Sequence, residues 1–279
     1  MKLEFKCEND NIRLSEELKL HMSKHLYRHL KGYNALMYVN DKLTKTYEII
    51  NKGDNILIII NKESNINWPL YDGNVDVIYE DINALVINKR TKLLTIPTKI
   101  NPHSLYQEAL YYLKDKNEEL NISILNRLDY DTSGLLLIAK NPDFAYRLSP
   151  THLHITRKYH AICHGIFDKK EDKITIKIKR GDTNKRIISN DGDIAITNYK
   201  VLEEYNDLSL VEFILETGRT HQIRLTASYL NHPICGDKMY GIEDDFDRLM
   251  LNSYYLSYND PYNNEFKEFE IRDEFLWKN

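Results

Sequence analysis

The chain has 279 residues, 42% of them hydrophobic and 29% charged, which is the balance of a globular protein of about two domains. No apolar run is longer than five residues, as at 56–60, far short of the roughly 18 residues that cross a membrane. The first residues carry no apolar segment of a secretory signal, and the three cysteines are scattered without a metal-binding spacing. These features predict a cytoplasmic protein with no membrane contact and no metal site.

The net charge of −4 is unevenly distributed along the chain. Residues 1–62 carry 11 Lys and Arg against 8 Asp and Glu, whereas residues 242–279 carry 4 against 10. Residues 19–31 hold four fixed positive charges, three histidines and no acid. Because a local basic face can bind phosphate groups even on an acidic chain, the overall charge does not exclude a nucleic-acid partner.

The first 62 residues have the pattern of a small α+β unit. Apolar residues recur every four positions between Leu18 and Leu30 and predict an amphipathic helix over that range, with basic residues on another side. Strands are predicted over Leu36–Val39 and Ile56–Ile60, with turns at Asn40-Asp41 and at Gly53-Asp54. This order resembles the S4-like RNA-binding domain. The resemblance implies that RNA is bound by three residues of the helix and its end: Lys24, Arg28 and Lys31. The alternative is any small α+β cap with a solvated basic helix.

Residues 63–74 are polar and predict a linker, and residues 75–279 form a second predicted domain. Strands dominate this domain, with two helices among them, which predicts an α+β fold with a mixed sheet. The predicted strands are Val75–Tyr79, Leu85–Ile87, Leu135–Ala139, Ile174–Ile178, Tyr199–Glu204 and Leu208–Glu216, and the predicted helices are Ser104–Leu113 and Thr220–Leu230. Asn206-Asp207 predicts a hairpin turn between the last two strands. Residues 180–193 are predicted to form a mobile loop that touches substrate.

The segment Ile124–Lys140 is a polar loop that runs directly into an apolar strand. Such a loop has a rigid base and suits a functional carboxylate, for which Asp129 is the candidate. The residues alone leave an alternative open, in which Asp129 and Asp131 only cap a turn.

Three segments resemble the RluA-type pseudouridine synthases, in the order of that family. They read NRLDYDTSGLLLIAK at 126–140, RKYHAICHG at 157–165, and TGRTHQIRL at 217–225 continuing through HPICGDKMYG at 232–241. The resemblance covers about residues 75–278. It implies a catalytic domain with a mixed, mainly antiparallel sheet flanked by helices.

The chain departs from the family pattern at three places. Asn126 stands where the family usually has His, and Lys89-Arg90 stands for Lys-Pro. Leu251-Asn252-Ser253 stands where the family often has Leu-His-Ala. None of these is a residue to which the activity is assigned, although Asn126 adjoins the catalytic loop.

The resemblance implies roles for individual residues. Asp129 is the carboxylate, acting as nucleophile or as partner of a developing cation, and Arg224 pairs with it. Tyr159 is the active-site tyrosine, and its role as base stacker or proton-transfer group stays open. Arg127 fills the gap left by an extruded uridine, unless it only pairs with an acid. Two more residues, Arg219 and His221, support the loop or contact the RNA backbone.

The sequence therefore predicts an RNA pseudouridine synthase that needs no cofactor and no metal and acts as a monomer. Ribosomal RNA is the first choice of substrate and transfer RNA the second. The rival hypothesis is an RNA-binding or ribosome-assembly factor that has lost catalysis on the same fold. A metal-dependent hydrolase is a remote third, since no acid or Cys is seen to complete a ligand set with His152, His154, His160 and His164.

Overall fold

The computed structural model describes residues 2–22, 27, 30, 35–59, 69–98, 100–116, 122–148, 155–183 and 185–273. Within this part of the chain, no helix combines the length and apolar character that a membrane crossing requires.

The N-terminal unit is a small antiparallel sheet covered by a helix. Its elements are β1 (Lys2–Lys6), β2 (Ile12–Arg13), α1 (Leu14–His21), β3 (Leu36–Val39), β4 (Lys42–Thr44), β5 (Ile49–Ile50) and β6 (Asn55–Ile59). The main sheet has the order β1-β6-β3-β4, and β2 pairs with β5. The predicted strands are confirmed, since alternate residues of β6 point into a core under α1.

The predicted helix over Leu18–Leu30 is wrong in its bounds. Helix α1 starts at Leu14 and stops at His21, because Met22 adopts an extended conformation (φ −150°, ψ 159°). Met22 and Leu30 are nevertheless buried in the core of this unit. Their four-residue spacing therefore reflects burial and not one continuous helix. The basic residues assigned to that helix, Lys24, Arg28 and Lys31, lie outside the described residues.

The rest of the chain is built on one 11-stranded sheet. Its strands are β7 (Asp76–Glu80), β8 (Ala84–Lys89), β9 (Ser123–Ile124), β10 (Ser133–Ala139), β11 (Thr156–His164), β12 (Glu171–Arg180), β13 (Arg186–Ile188), β14 (Asp193–Tyr205), β15 (Leu208–Leu215), β16 (Leu251–Asn259) and β17 (Phe266–Glu270). The helices are α2 (Leu105–Asp115), α3 (Pro142–Arg147) and α4 (Gln222–Tyr229). The strand order is β13-β12-β14-β15-β11-β16-β10-β8-β7, with β9 added to β10 and β17 to β16.

Among the strands of this sheet, only β10 and β16 run parallel to each other. The sheet is therefore mixed and mainly antiparallel, with helices against it, which confirms the predicted α+β fold. Every residue of β10 is buried, as predicted from its continuous apolar run. Leu136 and Ile138 pack in the core with α2 and α4, and Leu135 and Leu137 pack with α3 on the other face.

Gly134 allows β10 and β16 to meet. Its φ is +110°, and a Cβ added there would lie 2.3 Å from the backbone oxygen of Ser253. Only glycine fits so close an approach in this conformation, which explains the Ser-Gly at the start of β10. The crossing places the end of the loop that carries Asp129 directly beside β16.

Several elements differ from the predictions. Residues 180–193, predicted to be a mobile loop, contain strand β13 paired with β12. Helix α4 starts at Gln222 and not at Thr220, because His221 has a left-handed backbone (φ 58°). Strands β16 and β17 and helix α3 were not predicted.

Candidate active site

The loop that carries Asp129 joins β9 to β10 and is fixed on both sides of that residue. Thr95 Oγ1 donates to the carbonyl of Leu128 at 2.6 Å and accepts the Leu128 N–H at 3.2 Å. Lys89, which is fully buried, donates from Nζ to the carbonyl of Tyr130 at 3.3 Å. The backbone on either side of Asp129 is therefore fixed by Lys89 at the end of β8 and by Thr95 in the segment that follows.

Asn126 occupies the position where the family usually has His. Its Oδ1 accepts the Leu137 N–H at 2.7 Å, and its Nδ2 donates to the Leu135 carbonyl at 3.3 Å. Asn126 is buried, so these bonds satisfy backbone groups that would otherwise be costly to bury. The amide thus ties the start of the loop to β10, and a carboxamide cannot act as a general acid or base.

Arg224, on α4, is held by a second carboxylate. Its Nε and Nη2 donate to the two Asp237 oxygens at 2.7 and 2.6 Å, whereas its Nη1 lies 3.8 Å from Asp129 Oδ2. The predicted partner Asp129 is thus the more distant one, because the fork of the guanidinium is occupied by Asp237. Burial opposes ionisation of Asp237, but the Arg224 guanidinium holds the pKa of that carboxyl below its usual value.

His221 places a second ring nitrogen near Asp129. Its Nε2 lies 3.9 Å from Asp129 Oδ2, and its Nδ1 is hydrogen-bonded to the Tyr240 hydroxyl at 2.8 Å. Burial lowers the pKa of His221 below its ordinary value, and the nearby Asp129 charge, which acts in the opposite direction, does not offset burial and the Arg224 charge. His221 is therefore mainly neutral at pH 7 and can donate or accept a hydrogen bond.

Asp129, Tyr159 and Arg224 line one cavity of about 1010 Å³. Such a volume lies at the upper end of the roughly 300–1,000 Å³ found for ligand pockets, so a nucleotide with part of its neighbours can be held. Tyr159 is 4% exposed, and burial raises the pKa of its hydroxyl, which is therefore protonated at neutral pH.

Arg127 and Arg219 also line this cavity. Arg127 is exposed at its rim. Arg219 donates from Nε to the Ile194 carbonyl at 3.0 Å, and its Nη1 lies 3.7 Å from Asp193. Arg219 therefore links its loop to β14, and about two-fifths of its side chain stays exposed.

Some residues of the site were quoted in the sequence motifs without a role. Asp237 and Tyr240 hold Arg224 and His221, respectively. Gln222 accepts hydrogen bonds from Thr217 Oγ1 and from the Arg219 N–H, both at 2.9 Å, and so closes the loop before α4. Their positions inside the motifs were the signal that these residues belong to the site. Only the folded chain shows which group each of them contacts.

The histidines of β11 have partners that were not foreseen. His164 is hydrogen-bonded to Asp244 at 2.7 Å, and the ligand atoms of His164, Asp244 and Cys235 lie within 4.8 Å of one another. Asp244 also accepts the Gly236 N–H at 2.8 Å, and burial raises the pKa of the Cys235 thiol to about 12. The group holds the loop after Gly236 through hydrogen bonds. His160 is bonded to Asp273 at 2.8 Å, and His152 and His154 lie outside the described residues.

Comparisons with known proteins point to one family. The family model described as RNA pseudouridylate synthase matches residues 83–229. YjbO of Bacillus subtilis, named an uncharacterized RNA pseudouridine synthase, is 32% identical over 88% of this chain and 90% of its own length. Ribosomal large subunit pseudouridine synthase D of Vibrio vulnificus is 32% identical over 81% of this chain and 76% of its own length.

Among solved structures, human RNA Pseudouridylate Synthase Domain Containing 1 is similar, with a TM-score of 0.59 and 27% identity. The match covers 75% of this chain and 87% of the human one. With the family model spanning more than half of the chain, these similarities identify it as a member of the RNA pseudouridine synthase family, of the RluA type.

Proposed function

We propose that this RNA pseudouridine synthase isomerises specific uridines of ribosomal RNA in the cytoplasm, acting as a monomer. The choice of ribosomal RNA is supported by similarity to a relative named as a large-subunit ribosomal enzyme, and transfer RNA is the second choice. The single observation that carries the proposal is a carboxylate, Asp129, within 4 Å of two nitrogen-bearing side chains in a cavity of nucleotide size.

In this proposal Asp129 supplies the negative charge that the reaction requires. Uracil must leave its ribose, turn and rejoin through carbon, so the sugar carbon needs either a nucleophile or an anionic partner. Arg224 provides a fixed positive charge 3.8 Å from Asp129, and Asp237 keeps that charge in place. No cofactor is required for these steps.

Tyr159 contributes an aromatic ring and a protonated hydroxyl to the same cavity. The ring can stack on the extruded base, and the hydroxyl can donate to it or exchange a proton with it. Arg127 at the rim takes the role of filling the space that the base leaves in the RNA. The N-terminal unit adds affinity for RNA and helps to select the site.

The test is release of tritium from RNA labelled at uridine C5, because this hydrogen leaves only when the base rejoins through carbon. Ribosomal and transfer RNA are run in parallel with the wild type and with Asp129→Asn, which keeps the shape of the side chain and removes its charge. We expect release from ribosomal RNA and at least a thousandfold loss in the variant, with binding retained. Comparable release by Asp129→Asn would refute the assignment of Asp129.

A further inference from the structure

The guanidinium groups that line the cavity differ in their partners. They belong to Arg127, Arg157, Arg219 and Arg224. Arg224 is occupied by Asp237, and Arg219 is bonded to a carbonyl of β14. Arg157 is different, because its Nε is buried and has no hydrogen-bond partner among the described residues. Arg157 is therefore less satisfied by protein groups than Arg219 and Arg224, which leaves its charge available to a ligand that is bound during function.

Arg157 is half-buried in the lining of the cavity. It is two residues before Tyr159 on β11, and its positive charge acts to lower the Tyr159 pKa that burial raises. A Cβ added to Gly218 would lie 3.2 Å from Arg157 Nη1 and 3.6 Å from Nη2. The guanidinium therefore rests against the backbone of the loop before α4, where no side chain separates them.

The carboxylates of the cavity are committed to other cations. Asp129 faces Arg224 and His221, and Glu216 is paired with Lys173 at 2.7 Å. The described lining thus offers four guanidinium groups against these two carboxylates. Asp237 offsets the charge of Arg224, and Asp193 lies 3.7 Å from Arg219, so the positive charge left to attract an anion is mainly that of Arg127 and Arg157. The planar fork of arginine fits phosphate best.

We propose that Arg157 binds a backbone phosphate next to the uridine that enters the cavity. The proposal rests on the proposed function, because a base extruded from RNA brings its flanking phosphates to the mouth of the pocket. Arg157 would therefore fix the position of the nucleotide along the strand, while Asp129 acts on its sugar and Tyr159 on its base. Arg157 is thus a substrate-binding residue of this chain in addition to those derived above.

The test compares Arg157→Gln and Arg157→Lys with Lys158→Gln in the full-length protein. Lys158 is the matched control, because it is the next residue on β11 but lies 4.8 Å from the ring of Tyr255 and 3.9 Å from Glu212, outside the cavity lining. Affinity for a large-subunit ribosomal RNA transcript is measured over a series of salt concentrations, and tritium release is measured on the same RNA. Thermal unfolding of each variant checks that the fold is intact.

If Arg157 neutralises one phosphate, Arg157→Gln lowers the slope of log affinity against log salt by about 0.7–0.9 and weakens binding about tenfold at low salt. Arg157→Lys keeps the charge and should keep the slope, and Lys158→Gln should leave both quantities unchanged. An unchanged slope in a folded Arg157→Gln protein would overturn the proposal. An equal decrease of the salt slope in Arg157→Gln and Arg157→Lys would also overturn the proposal. The decrease would then come from altered packing and not from the lost charge.

The same experiment separates this proposal from the proposed function. If the wild type releases no tritium from any RNA but Arg157→Gln still lowers the salt slope, the enzymatic assignment fails and the phosphate contact stands. If tritium release depends on Asp129 and the slope does not depend on Arg157, the enzymatic assignment stands and the phosphate contact fails.

Discussion

Arg224 can face Asp129 because the buried Asp237 carboxylate fixes the orientation of the Arg224 guanidinium. The Arg224–Asp237 pair is bidentate, and the two side chains are 6% and 1% exposed. Asp237 Oδ1 also accepts the backbone N–H groups of Met239 and Tyr240. Removal of one partner from such a pair leaves a buried charge uncompensated, so Asp237 supports both the stability of the fold and the direction in which Arg224 points.

We predict that Asp237→Asn lowers the free energy of unfolding at pH 7 by about 3–5 kcal/mol and also reduces turnover. Urea unfolding measures the first effect and tritium release the second. The matched control is Asp193→Asn, because Asp193 is 73% exposed and 3.7 Å from Arg219, and its loss should cost less than about 1 kcal/mol. Equal losses of stability in the two variants would contradict the account.

The same variant has a defined pH dependence. Because the pKa of Asp237 is lower in the folded chain than the value of about 3.9 for an unfolded Asp, its ionisation stabilises the fold above that pH. This contribution is lost as the pH falls through the folded pKa. The stability gap between wild type and Asp237→Asn should be constant from pH 7 to about pH 5 and narrow below about pH 4. A gap that widens with acid would show that Asp237 is not the stabilising anion.

At the scale of elements, the position of the catalytic loop depends on the crossing of β10 and β16. The two strands pair only at Ser133–Asn252 and Gly134–Ser253. Ser133 Oγ is also hydrogen-bonded to the Asn252 amide at 2.8 Å. This short parallel contact fixes where β10 starts, and therefore where the loop that carries Asp129 ends.

We predict that Gly134→Ala destabilises the fold by about 2–6 kcal/mol, because both backbone strain and a steric clash are introduced. The added Cβ would lie 2.3 Å from the Ser253 oxygen at a φ of +110°. Gly53→Ala is the matched control, since its φ is +92° but nothing lies within 4 Å of the added atom. It should cost only about 1–2 kcal/mol. Denaturant unfolding measures the stability of both variants. If Gly134→Ala is as stable as Gly53→Ala, the close approach of β10 and β16 does not require glycine at position 134.

The elements that could be predicted are those with a strong local pattern. β10 was predicted because a continuous apolar run needs burial on both faces, and the hairpin of β14 and β15 because Asn206-Asp207 marks its turn. The start of α4 was missed because the left-handed backbone at His221 belongs to a site in which its ring bonds Tyr240, and no local pattern encodes that bond. β13 was missed because it is an edge strand of only three residues, Arg186–Ile188, inside an otherwise polar stretch.

The site was predictable in part, and mainly through the family resemblance. The residues alone left Asp129 open between a turn cap and a catalytic group. The fold brings Asp129, Tyr159 and Arg224 to one cavity, while their roles remain predictions. The ion pair of Asp237 with Arg224 could not be predicted, because a carboxylate in the 232–241 motif is as compatible with a turn as with an ion pair. The confirmed parts are thus the family, the activity class and the fold.

For the whole molecule, a hydrogen bond of His21 joins the two units. His21, at the end of α1, is hydrogen-bonded through Nδ1 to the Tyr146 hydroxyl of α3 at 2.9 Å and through Nε2 to Glu17 at 3.0 Å. The ring of Phe5 stacks on His21 at 4.2 Å. The N-terminal unit is therefore in contact with α3 of the catalytic domain.

The uneven charge of the chain gives the last prediction. Reversal of Lys24, Arg28 and Lys31 to Glu should weaken RNA binding, most clearly at low salt, because this basic segment is the part of the N-terminal unit suited to phosphate. The control reverses three exposed lysines that are paired with acids, Lys169, Lys170 and Lys173, for the same change in net charge. Affinity for ribosomal RNA is measured between about 50 and 200 mM salt, over which a protein with many phosphate contacts loses several orders of magnitude. If only the N-terminal variant loses affinity and salt dependence, that segment belongs to the RNA footprint. If both variants lose affinity equally, net charge alone attracts the RNA, and the N-terminal unit has no specific part in binding.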